Sequence, residues 1–159
     1  MANRPLLLAL LLLTASAVPA FGGESGGHAH DAMAAKADAR QFVKLPPHLR
    51  KHMMANMRDH LMALESITRL LSAGRYDDAA DMADKRLGLS SIRAHGGNKL
   101  APFMPKGMLA IGKSMHQAAS RFVITARNAG VEQDPSAALD GLSKVMQRCV
   151  ACHASYRVH

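Results

Sequence analysis

Residues 50, 54, 57, 61, 64, 68 and 71 step by four and three and hold Arg, Met, Met, Leu, Leu, Thr and Leu. That spacing returns to one side of a 3.6-residue helix, so this stretch is expected to be a helix with one apolar stripe, entered by a charge. Pro46-Pro47 opens it, where a missing N–H costs nothing, and Gly74 is expected to end it. "RYDDAADMADKRLG" reads as a second, shorter helix, with Asp77 and Asp78 in its first turn and Lys85 and Arg86 near its end. His95 to Pro102 reads as a loop. Pro105 starts a third helix with the stripe Met108, Ile111, Met115, Ala118, Phe122, Thr125 and Ala129, closed by Gly130. Asp134-Pro135 is an N-cap followed by Pro, and the helix it opens carries Ala138, Leu142, Val145, Cys149, Cys152 and Tyr156 on one side. Four helices with mostly short connections imply an all-α, antiparallel four-helix bundle over residues 45–159. No stretch alternates as a strand would.

The N-terminus has a different build. Arg4, the apolar run Leu6 to Leu13 and the small-residue site Val18-Pro19-Ala20 have the build of a secretory signal peptide, expected over residues 1–20. The run is too short for a membrane span, which needs roughly 20 apolar residues. The rest is therefore expected in an oxidising periplasm. Residues 21–44 read as a flexible leader, and the incidental ligands His28, His30 and Asp31 in it have nothing to preorganise them. Removing the signal peptide leaves nineteen Lys and Arg against twelve acids, about +7. Such a chain suits acidic protein partners, and nucleic acid is not expected for an exported protein.

The only two cysteines lie in "RCVACHASYRV" near the C-terminus. Cys149-x-x-Cys152-His153 is the C-x-x-C-H pattern of c-type haem attachment. Two thiols one helical turn apart can add to the two vinyl groups on one edge of a haem, and the adjacent imidazole then reaches the iron from the proximal side. A thioredoxin-like pair belongs at a helix start after a strand, and a zinc site needs four ligands; neither fits. A disulfide here would be strained and close almost no loop.

A helical exported chain whose single C-x-x-C-H lies near its C-terminus, in the run "CVACHASYR", resembles the class II c-type cytochromes, the cytochrome c′ group, over residues 42–158. The resemblance implies one covalent haem c, bound by Cys149 and Cys152 with His153 as the proximal iron ligand. It also implies that members divide by the sixth ligand, supplied or withheld one turn after a basic residue in the first helix. In "LRKHMMANMRDHL" that basic residue is Arg50 and the ligand position is Met54. Met is soft and raises the potential of a His-ligated haem. Met57, His52 and His60 are weaker candidates, the two histidines falling off the stripe, and Met54 can also be read as core filling. Arg50 and Arg157 are the candidates for pairing with the haem propionates, by the resemblance and by the fit of guanidinium to carboxylate. Met108, Met115, Phe122 and Met146 are read as core or haem wall. His48, His95, His116 and His159 are assigned no role.

The function expected is that of a periplasmic electron carrier, serving acidic redox protein partners, without bond chemistry of its own. The alternative is a five-coordinate, cytochrome c′-like protein that binds small gases such as NO and CO. No general acid–base set or phosphate loop indicates an enzyme. The resemblance also leaves a homodimer through the first helix open.

Overall fold

The computed structural model describes residues 38–159. The expected signal peptide and the trio His28, His30 and Asp31 lie outside the described residues. The elements are a two-residue strand β1 (Gln41–Phe42), α1 (Pro47–Ser72), α2 (Tyr76–Leu87), a 3-10 turn (Leu89–Ile92), α3 (Gly97–Leu100), a second 3-10 turn (Ala101–Phe103), α4 (Lys106–Glu132), α5 (Pro135–Ser155) and strand β2 (Tyr156–Arg157). Five helices pack into a bundle-like all-α domain, α3 being a single turn.

The helix ends follow local chemistry. Pro47 occupies the first turn of α1. At the other end Arg75 N–H donates to Leu70 O and Gly74 N–H to Leu71 O, with Gly74 at φ 69°. This is the Schellman arrangement, which needs a left-handed residue after the helix. Asp134 caps α5 by accepting from the N–H groups of Ser136 (3.0 Å) and Ala137 (3.2 Å), with Pro135 next in line. The expected end at Gly130 is corrected. Helix α4 runs on to Glu132, and Gln133 takes the left-handed turn at φ 56°. Gly130 instead lets α4 approach Tyr76, whose Cβ would stand 3.0 Å from a Cβ added there. The expected loop at 95–102 is likewise corrected, since part of it winds into α3 and the turns beside it.

Packing is uneven around the bundle. Helix α4 lies against both α2 and α5, and α1 against α2, but α1 and α5 make no extensive contact. The main core holds Ile67, Leu87, Phe122 and Val145, all fully buried, among small residues such as Ala79, Ala83, Ala119 and Ala126. A second cluster joins Val43, Leu45, Leu49, Met53, Leu100, Met108 and Val158. It fixes the start of the described chain. Strand β1 pairs in parallel with β2, Val43 N–H donates to Arg157 O, and Val43 and Leu45 are buried. Residues 41–43, read from sequence as part of the leader, thus pack against the C-terminal strand.

The apolar stripe of α1 is rotated by one position from the expected one. Leu49, Met53, His60, Ala63, Ile67 and Leu70 are buried together with Leu71, the last residue of the expected stripe, while Leu61 is 68% exposed. Met54, Met57 and Leu64 are only half-buried. The reason is that a polar His60 and a small Ala63 sit at core positions, so an apolar count favours the neighbouring row.

Candidate functional site

That neighbouring row faces a cavity. The gap between α1 and α5 opens into a space of about 620 Å³, within the roughly 300–1,000 Å³ of sites that enclose a sizeable organic ligand. Met53, Met54, Met57, Leu61 and Leu64 of α1 line one side. Cys149, Cys152 and His153 of α5 line another, and Met108, Ile111, Gly112 and Met115 of α4 form the floor between them. Residues from two distant stretches of sequence, Met54 and the C-x-x-C-H motif, thus share one apolar chamber.

Both cysteines are free thiols, half-buried on the last turns of α5. The Cys149 thiol points back along the helix to Val145 O at 3.7 Å. Burial pushes both thiols above their ordinary value, and Cys149 adds to the effect at Cys152. A helix C-terminus also disfavours a thiolate. These are not the activated thiols of a disulfide oxidoreductase, whose reactivity depends on a lowered pKa. His153 is exposed at the cavity edge.

Gly112 bears on what the cavity accepts. It lies in the middle of α4, where Gly costs roughly 0.5–1 kcal/mol relative to Ala, and a Cβ there would meet nothing within 4 Å. A bare stretch of backbone on an apolar wall suits a flat ligand lying close to it. The donor set fits a haem: two thiols one turn apart, an imidazole beside them and thioethers opposite.

The two arginines expected at the propionates do not line the cavity. Arg50 is exposed and does not line the cavity. Arg157 lies 5.0 Å over the Phe42 ring, with Nε 3.4 Å from Asp38 Oδ2 in an ion pair that lacks hydrogen-bond alignment. Asp38 is held well below the usual carboxylate range, chiefly by its hydrogen bond from Arg40, so it stays charged for Arg157. The cations at the cavity are Arg58, Lys113 and Arg148, one each from α1, α4 and α5. All three are exposed, and none makes an ion pair among the described residues. Sequence reading missed them because surface cations have no signature; only the shared cavity singles them out.

His52 and His60 are also placed. The Nε2 atom of His52 is 3.0 Å from His95 O, and His60 is buried with Nε2 3.4 Å from His95 Nδ1. The His52 ring does not line the cavity, whereas the His60 ring does. Among the predicted packing residues, Met108, Met115 and Phe122 are buried, whereas Met146 is 41% exposed and is no part of the wall. Among the described residues no helix is long and apolar enough to cross a membrane. Comparison with family models, curated proteins and solved structures returned no match.

Proposed function

We propose that the protein is an exported mono-haem c-type cytochrome of the class II kind, an antiparallel four-helix bundle that carries electrons in the periplasm. The observation that supports this best is the single cavity shared by Cys149, Cys152, His153 and Met54. When bound, the haem would supply one-electron chemistry between ferric and ferrous states. The chain's residues do the rest. Cys149 and Cys152 would tether the ring, His153 and Met54 would supply ligands to the iron, and the methionines and leucines of α1 would exclude water. Arg58, Lys113 and Arg148 line the cavity and would meet anionic groups at its rim. The same exposed cations would steer acidic redox partners, with association weakening as salt rises.

The alternative, an open iron that binds small gases, is favoured by the half-buried state of Met54 and by Leu61 and Leu64 beside it. Optical spectra of the purified holoprotein, ferric and ferrous, with and without carbon monoxide, decide between them. The carrier reading predicts a low-spin spectrum with a Met-to-ferric-iron band that disappears in Met54→Ala. A high-spin spectrum with ready carbon monoxide binding contradicts it and selects the alternative.

A further inference from the structure

Three histidines from three segments meet at one end of the cavity. His60 comes from α1, His95 from the turn before α3 and His116 from α4, and all three line the cavity that Met54 and Cys152 line. The ring centroids of His60 and His95 are 4.7 Å apart, those of His95 and His116 5.7 Å, and those of His60 and His116 6.2 Å. Ser91 Oγ lies between, 3.4 Å from His95 Nδ1 and 3.5 Å from His116 Nδ1. His116 Nδ1 is 2.8 Å from Leu87 O, so that nitrogen carries the hydrogen and the lone pair is left at Nε2. Three connected bases on an otherwise apolar wall are not needed for packing.

We propose that His60, His95 and His116 form a proton-binding site that takes up one proton when the domain is reduced. The inference rests on the haem reading above. The cluster gains one proton from water as the cavity gains one electron from the redox partner, and both leave on reoxidation. One fewer positive charge at the cavity centre favours an imidazolium on its wall.

The surroundings set the count at one. Burial, and then repulsion from His95 and His116, holds His60 down to about 4, and burial, and then His116, lowers His95. A first proton on any ring opposes a second on its neighbours. The other charged groups facing the cluster are Asp59, Arg86 and the His52 ring. Asp59 is ion-paired with Arg86 of α2, so neither alone compensates an imidazolium. His95 and His116 are half-exposed, which gives protons a route to water. A metal ion is not the ligand indicated, since no three His, Cys, Asp or Glu side chains among the described residues are grouped to hold one.

The test is the midpoint potential of the holoprotein against pH, in wild type, His60→Gln and His116→Gln. The wild type is expected to lose potential as pH rises between about pH 4 and neutrality, approaching a tenfold change in the reduction equilibrium per pH unit, which is 59 mV for one electron. At least one variant is expected to flatten that slope while keeping the ferric spectrum. A flat wild-type profile overturns the proposal, as does a slope unchanged in both variants, which would belong to the propionates. If the variants do not fold, proton titration of the wild-type imidazoles by NMR decides: values that differ between ferric and ferrous protein support the site, and identical ones overturn it. Protein exported without covalent haem would instead refute the function on which the site depends.

Discussion

Where α2, α4 and α5 meet, Ala79, Ala80, Ala83, Ala119, Ala126 and Ala138 are fully buried and the helices close over Phe122 and Val145. Where α1 faces α5, Met53, Met54, Met57, Met104 and Met108 stand around a space of about 620 Å³. Small side chains let backbones approach and leave no void, as close packing requires. Long thioethers without branches line an irregular space and adapt to whatever fills it. One end of the bundle is thus closed by the chain itself, and the other encloses a cavity.

Substitutions should therefore act differently at the two ends. Phe122→Ala in the closed end is expected to cost about 3–5 kcal/mol, read by chemical denaturation, because no neighbour can move into the space. Met57→Ala, beside an existing cavity, is expected to cost under about 1.5 kcal/mol in the same assay, because it leaves a half-buried position rather than a new void. Equal losses would erase the distinction.

Acid should attack the cavity end first. His60 is buried and held to about 4 against an ordinary 6.5, so the unfolded chain binds more protons in that interval. Its contribution is fully present above pH 6.5 and is lost as pH falls toward 4, by up to about 3 kcal/mol. Denaturation measured at several pH values should show that slope in the wild type and most of it gone in His60→Gln. The smallest expected change in stability, within about 1 kcal/mol, is that of Gly112→Leu. Its side chain would enter the cavity, so the fraction of chains carrying haem should drop although the helix content by circular dichroism does not.

Much of this architecture was legible in the chain. Most of the stripes of α4 and α5 appears where the spacing put it, because Phe122, Leu142 and Val145 are large and apolar, although Ile111 and Thr125 are only half-buried and Tyr156 lies in β2; Pro47, Gly74 and Pro135 mark ends that local sterics dictate. The stripe of α1 was misread by one position because the row with more apolar residues lines the cavity, whereas the buried row contains His60 and Ala63. Periodicity counts hydrophobicity and cannot distinguish a core from the wall of a site. Strand β1 was missed because two residues paired with the C-terminus leave no pattern. Of the residues lining the candidate cavity, the cysteines stand out by their C-x-x-C-H spacing and Met54 by the position that the resemblance implies. The rim cations and the cluster of His60, His95 and His116 depend on contacts between distant segments, which no local window contains.

The most direct measurement is the intact mass and colour of the protein recovered after export from cells able to attach haem c. The account predicts a chain heavier by one haem, red after acid–acetone extraction, with the added mass lost when Cys149 and Cys152 are both replaced by Ser. A colourless chain of unmodified mass, with its two thiols free or joined in a disulfide, would contradict it.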